Sequence, residues 1–236
     1  MIVAAGLCKR FGPVAVLHAL DLRIARGRVT AIVGPNGAGK TTFIKMVLGL
    51  ARPDAGTLTF DDAPVAGRDL YRAGIGYMPQ IARYPDNLTG RELLALLRGL
   101  RSDAPVDERL IEELSLGDTL DRPLRLLSGG TRQKINAVAA FLFAPRCYIL
   151  DEPTAGLDPV SAGILKRRIH DERAAGCTVI LTSHIMSEID ELADDVAFLV
   201  DGRLAFSGPL AELKRSAGEV QLERAIAELM TRRAAA

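Results

Sequence analysis

The segment GPNGAGKTT, Gly34 to Thr42, sets three glycines just ahead of a lysine and two threonines. It fits the pattern G-x-x-x-x-G-K-[ST], in which the N–H groups of a glycine-rich loop close around phosphate oxygens. Gly34, Pro35, Asn36, Gly37, Ala38 and Gly39 would form the loop. Lys40 would reach the β- and γ-phosphates of a nucleotide, and the hydroxyl of Thr41, followed by Thr42, suits Mg²⁺. RVTAIVG reads as a buried strand running into the loop, and TTFIKMVLGL as the helix leaving it. The positive end of that helix then faces the bound anion.

CYILDEP, Cys147 to Pro153, stays apolar until Asp151 and Glu152. Open parallel sheets bind ligands beyond the carboxyl ends of their strands, so Asp151 is placed to hold Mg²⁺ from the side opposite Thr41. A second carboxylate beside a metal ligand can polarise an attacking water, which points to hydrolysis and not binding alone. Of the three histidines, His18 and His170 read as structural or exposed. His184 ends the strand CTVILTS, predicted parallel to CYILDE, where a neutral imidazole can hydrogen-bond a γ-phosphate and orient Glu152. A further stretch, LSGGTRQKINAVAAFLFAP from Leu127 to Pro145, places Ser128, Gly129 and Gly130 at the opening of a helical run. That is a second backbone suited to an anion, in a chain that already has one.

The elements that must position these residues alternate between short apolar runs and helical patterns, which indicates an α/β fold with a largely parallel sheet. Asp158 can cap the helix that starts at Pro159, and Gly176 can close it. From Leu88 to Ala144 the pattern is wholly helical, and this reads as a helical subdomain inserted into the core. In EVQLERAIAELM, Leu222, Ile226 and Leu229 share a helical face, expected to pack on its own domain. The chain has 236 residues, 48% of them hydrophobic and 25% charged, with net charge +1. This composition is that of an ordinary globular protein, with no charge block that would favour nucleic acid. Cys8, Cys147 and Cys177 form no CxxC pair, so neither a disulfide framework nor a zinc site is expected. No apolar run reaches the roughly 20 residues of a membrane span, and the N-terminus lacks the charge order of a secretory signal. A cytosolic chain is expected.

Taken in this order, the motifs resemble those of the ATP-binding subunits of ABC transporters, and the likeness extends to about Leu213. LSGG at Leu127 to Gly130 resembles the family's signature, with Thr131 where glutamine is frequent. Gln80 in YMPQ resembles the Q-loop glutamine, here implied to reach Mg²⁺, and AGLD, Ala155 to Asp158, resembles the D-loop. His184 matches the switch histidine, and Phe11 in KRFG stands where an aromatic residue stacks on adenine. The resemblance implies a P-loop NTPase core with a mostly parallel sheet, an N-terminal antiparallel β subdomain and a helical subdomain inserted at about 88–145. The ATP-binding domain would span 1–215, and 216–236 a short C-terminal helix and tail.

It further implies ATP and Mg²⁺ as cofactors and a head-to-tail dimer, in which each ATP lies between the Lys40 loop of one copy and the Ser128 surface of the other. Asp158 would contribute to nucleotide binding at that interface. An integral membrane permease subunit would be the other partner, with this chain peripheral on the inner face of the cell membrane. The run GYMPQIARYPDNLTGRELL resembles the segment that docks such a subunit in exporters, with Tyr84 and Pro85 expected on its surface. SGGTRQK, FLFAP and DEPTAGLDP resemble bacterial export or maturation systems, including the copper-processing one that serves nitrous oxide reductase. The rival is a single-cassette cytosolic ATPase of an assembly system, such as iron–sulfur cluster assembly.

Overall fold

The computed structural model describes residues 1–67, 69–101, 104–218 and 221–234. Strands β1 (Ile2–Phe11) and β2 (Val14–Ile24) form an antiparallel hairpin, and β3 (Val29–Val33) leads through the glycine loop into α1 (Lys40–Val47). β4 (Ala55–Phe60) and β5 (Ala63–Pro64) join the hairpin in a four-stranded antiparallel sheet of order β2-β1-β4-β5. After β6 (Ile75–Met78) come α2 (Gly90–Leu100), α3 (Arg109–Glu113) and α4 (Gly129–Phe141). β7 (Cys147–Asp151), α5 (Pro159–Ala174), β8 (Thr178–Thr182), α6 (Met186–Leu192) and β9 (Asp195–Val200) alternate regularly. β10 (Arg203–Pro209), α7 (Leu210–Ala217) and α8 (Leu222–Ala234) complete the chain. The second sheet has six strands in the order β10-β9-β3-β8-β7-β6, parallel except for the β10 edge.

This sheet separates two cores, and strand periodicity assigns residues to them. Val29, Ala31, Val33, Tyr148, Leu150, Val179 and Leu181 face the helical side. The residues between them, Ile32, Cys147, Ile149 and Ile180, face α1 and the antiparallel sheet. Alternate side chains of a strand point to opposite faces, and a strand covered on both sides becomes a continuous apolar run. Accordingly every residue of β3, β7 and β8 is buried.

The helices have local causes. Thr89 and Glu92 make a reciprocal capping box that starts α2. Asp158 accepts from the Ser161 N–H to cap α5, and Pro159 occupies its first turn. The interval 88–144 is less helical than its pattern: α3 spans only Arg109–Glu113, and Ser115 adopts φ 53°. Two isolated β-bridges, Thr89↔Pro123 and Val106↔Phe143, interrupt it. Pro105, Pro123 and Gly117 explain this, because proline removes a helical donor and glycine weakens a helix. Arg168 of α5, only 6% exposed, pairs with Asp107 and Glu172 at 2.6 Å each and so ties the segment ahead of α3 to the core. At the C-terminus, Leu222, Ala225 and Ile226 are buried in the helical-side core, so α8 packs on its own chain. The Leu229 side chain lies outside the described residues.

Candidate active site

The loop between β3 and α1 needs glycine for two different reasons. A Cβ on Gly34 would lie 2.1 Å from the Leu199 carbonyl oxygen, and one on Gly39, at φ 96°, would meet Leu17 at 2.5 Å. Neither position admits a side chain. Pro35, Asn36 and Gly37 are exposed around the loop. Ala38 behaves otherwise: its side chain is buried and its N–H already bonds the Pro35 carbonyl. Of the expected loop contacts, that of Ala38 is therefore taken up within the loop itself. Lys40 Nζ donates to the carbonyls of Gly34 (2.6 Å) and Pro35 (3.0 Å), folding its ammonium across the loop mouth. Burial lowers the Lys40 pKa, and the Glu152 and Asp151 carboxylates oppose that shift. A cation held by neutral carbonyls near two carboxylates is ready to exchange those acceptors for phosphate oxygens.

The carboxylates stand at the carboxyl edge of the parallel sheet. Asp151 is buried and pairs in register with Thr182, whose hydroxyl donates to Asp151 Oδ1 at 2.5 Å. Glu152 follows at φ 53°, an unusual left-handed position for a residue with a side chain. Its N–H bonds the carbonyl and hydroxyl oxygens of Thr182 at 3.1 and 3.2 Å. The Glu152 carboxylate lies 2.9 Å from His184 Nε2. Burial raises the Glu152 pKa, His184 and Lys40 act against that, and Asp151 adds to it. The arrangement gives a carboxylate more basic than usual, beside an imidazole and an ammonium.

The oxygens of Thr41, Asp151 and Gln80 are hard donors of the kind Mg²⁺ takes, and Mg²⁺ commonly uses one or two carboxylates together with substrate phosphates. No group of three or more His, Cys, Asp or Glu side chains is placed to hold a metal among the described residues. By donor type, one carboxylate with a hydroxyl and an amide oxygen fits a cation that shares its shell with a nucleotide. Gln80 is exposed just beyond β6, and Thr41 is exposed in the first turn of α1.

Ser128 caps α4, its hydroxyl accepting from the Thr131 N–H at 3.1 Å. The two glycines that follow have different causes. Gly129 is exposed, and a Cβ there would meet nothing within 4 Å. A Cβ on Gly130 would come 2.9 Å from the Gly156 carbonyl, so this glycine packs α4 against the 155–158 turn. Asp158 belongs to the same packing: its carboxylate accepts from Ser161 and pairs with Lys134 at 3.0 Å. That side chain is thus held within the chain while remaining about half exposed, at 49%. Among the described residues, no hydrogen bond or ion pair joins Ser128, Gly129 or Gly130 to the loop at 34–42. Phe11 also stands apart, at the end of β1, 51% exposed, with the Lys9 ammonium 5.2 Å from its ring centre.

Tyr84 was expected on the surface, and the structure turns it inward. Its hydroxyl donates to Asn136 Oδ1 at 3.1 Å, and burial pushes its pKa up to about 12. Asn136, fully buried, donates to the Pro79 carbonyl (2.8 Å) and to Gln133 (3.3 Å). Gln133 in turn lies 3.4 Å from the carbonyls of Glu152 and Pro153. A polar side chain in an apolar core must find partners, and this phenol finds one on α4. Pro85 stays exposed as expected, with Gln80, Ile81, Arg83, Asp86 and Asn87. Thr182, Gln133 and Asn136 were not singled out in sequence, because each acts through partners far along the chain.

A glycine phosphate loop on a parallel sheet, with an acidic strand end and a histidine beside it, defines a nucleotide-hydrolysing P-loop protein. A family described as "ABC transporter" matches residues 17–155. The chain is 37% identical over 235 residues (96% of this chain, 74% of the relative) to the daunorubicin resistance ATP-binding protein DrrA3 of Streptomyces coeruleorubidus. It is 35% identical over 215 residues (88% and 67%) to the Nod factor export ATP-binding protein I of Ralstonia nicotianae. A solved ATP-binding subunit of an ABC transporter superposes with TM-score 0.91 at 29% identity, covering 98% of this chain and 99% of that one. The chain belongs to the ABC transporter family, as an ATP-binding subunit that hydrolyses ATP to ADP and phosphate. No helix among the described residues is long and apolar enough to cross a membrane.

Proposed function

We propose that this chain is the ATPase of an exporter, working as a head-to-tail pair on the inner face of the cell membrane and driving a separate integral permease. The observation that carries the chemistry is the Glu152–His184 contact of 2.9 Å at the sheet edge, on the same side as Lys40. Glu152 takes a proton from water as the water oxygen attacks the γ-phosphorus and the bond to the β-phosphate oxygen breaks. The one N–H of a neutral His184 orients Glu152 in the contact described and turns to the γ-phosphate when nucleotide is bound. Lys40 balances charge on the β- and γ-phosphates, and Phe11 stacks on the adenine. Mg²⁺, held by Thr41, Asp151 and Gln80, would neutralise the charge that develops between those phosphates.

Gly129 supports the pairing. Among the described residues nothing lies within 4 Å of a Cβ placed there, so a glycine leaves room for a close approach from outside. The first turn of α4 offers free N–H groups to an anion, and the γ-phosphate held by a second copy suits them. The relatives are named for drug resistance and Nod factor export, which favours an exporter over an assembly-system ATPase and lends nothing to the copper-processing reading. For the permease, a cleft of about 300 Å³ is lined by Ala73, Leu100, Arg101 and Phe143, and Leu70, Leu100 and Ile81 are exposed apolar side chains. Nucleic acid is no part of this reading.

The test is Glu152→Gln. It should retain ATP binding and lower turnover by about 10²–10⁴-fold. Turnover at the wild-type level would remove Glu152 from the role, and failure of a membrane subunit to co-purify with the tagged chain would count against the exporter.

A further inference from the structure

The turn that carries Glu152 and the loop that carries His184 leave neighbouring parallel strands, and the last pair in their ladder is Asp151 with Thr182. Beyond that pair the Glu152 N–H still bonds Thr182, but among the described residues no sheet pairing reaches His184, although the 2.9 Å contact needs both segments placed closely. Glu152 also sits at φ 53°, which a residue with a side chain keeps only when its surroundings enforce it.

Glu188 provides the tie. It stands in the first turn of α6, and both its carboxylate oxygens lie 2.7 Å from the Thr154 hydroxyl. One of them also accepts from the Ser183 hydroxyl at 3.1 Å. Thr154 lies two residues after Glu152, and Ser183 immediately precedes His184. Both are buried, at 7% exposure each, and the Ser183 oxygen in turn accepts from the Ile185 N–H at 3.0 Å. Among the described residues no lysine or arginine pairs with Glu188, so its charge is directed to these hydroxyls. Bonds to an ionised acceptor are stronger than neutral ones, and deleting the acceptor would strand two buried donors.

We infer that Glu188 is a positioning residue for hydrolysis, stapling the turn after β7 to the loop after β8 so that Glu152 and His184 stay in register. This rests on the reading of Glu152 as general base. Glu188 makes no hydrogen bond or ion pair with the base or the histidine among the described residues; its charge adds to the rise of the Glu152 pKa, and its hold on the two segments runs through Thr154 and Ser183. The nucleotide loop at 34–42 is not part of the staple, so ATP binding should be spared.

Steady-state ATPase kinetics of the purified full chain test it. Glu188→Ala should lower kcat by about 10- to 100-fold, the scale of a misplaced reacting group, with KM for ATP within about twofold. Glu188→Gln, which keeps an oxygen acceptor, should recover most of the loss. Combining Glu188→Ala with Glu152→Gln should add almost nothing, because a staple for a base already removed has nothing left to position. If the alanine variant does not fold, Thr154→Val, which deletes one donor, should show the same kcat loss and the same non-additivity. Equal losses in both backgrounds, a rise in KM at constant kcat, or an unchanged kcat would each overturn the inference. If Glu152→Gln alone keeps full turnover, the reading of the base fails; if only Glu188→Ala does, the staple alone fails.

Discussion

Gly129→Asp separates the fold of the single chain from the surface it presents. The position opens α4, is exposed, and has nothing within 4 Å of an added Cβ. Replacing glycine in a helix gains up to about 1 kcal/mol, and a carboxylate in the first turn gains about 0.3–1 kcal/mol more from the helix dipole. The isolated chain should therefore become more stable by about 0.5–1.5 kcal/mol. At this chain length that raises Tm by about 1–6 °C, readable by calorimetry. The same carboxylate would face the γ-phosphate of an ATP carried by a second copy. One unit charge at about 5 Å and an effective dielectric near 20 costs about 3 kcal/mol per site, or about 6 kcal/mol over the two sites of a pair, an association weaker on the order of 10⁴-fold. Size-exclusion chromatography with ATP in the Glu152→Gln background should then show monomer where the parent shows dimer. Gly130→Ala is the contrast: its Cβ meets the Gly156 carbonyl at 2.9 Å, so it should lower Tm. A Gly129→Asp chain that dimerises with ATP as its parent does would refute the argument that this helix end faces a nucleotide.

Three further outcomes are expected. Burial raises the Glu152 pKa, so a base that must be ionised loses activity on acidification at a higher pH than an ordinary carboxylate would. His184 opposes that shift, so the acid limb of the kcat profile in residual His184→Ala activity should move to still higher pH. Arg168→Ala leaves Glu172 without its ion-pair partner, while Asp107 keeps Arg109 at 2.6 Å; at a cost of about 3 kcal/mol it should lower Tm by about 6–12 °C. Phe11→Ala should weaken nucleotide binding by about 1–3 kcal/mol in a fluorescent-nucleotide titration, while Phe11→Tyr leaves it nearly unchanged.

The phosphate loop was legible in sequence because its backbone excludes side chains: Gly34 and Gly39 have no substitute that fits. The core strands were legible because a strand buried on both faces has little choice but an apolar run, as in TAIV, YIL and VIL. The pairing of His184 with Glu152 could be anticipated once both ended parallel strands on one edge. Tyr84 could not be placed in this way. Its neighbours Arg83, Pro85 and Asp86 are polar or turn-forming, and its partner Asn136 is 52 residues away on α4. The Ser161 cap of Asp158 was legible from Asp158-Pro159, whereas its pairing with Lys134 on α4 was not. The helical pattern of 107–116 was overstated, since periodicity does not register the left-handed Ser115 that ends α3. Glu188 sat in an ordinary polar helix face, and only the fold brings Thr154 and Ser183 to it.

The central claim is that each ATP is shared between two copies, and complementation of two dead chains tests it most directly. Lys40→Ala disables the phosphate loop of its own chain, and Ser128→Arg blocks the α4 surface of its own chain. With Glu152→Gln in both to slow hydrolysis, neither homodimer has an intact site. In the mixed pair one site carries both lesions, and the other joins an intact Lys40 to an intact Ser128. Size-exclusion chromatography of the mixture with ATP should give a dimer, at reduced yield, that neither parent gives alone. If ATP instead brings the Ser128→Arg chain alone to the parental dimer yield, the α4 surface takes no part in holding ATP, and the shared-site account is contradicted.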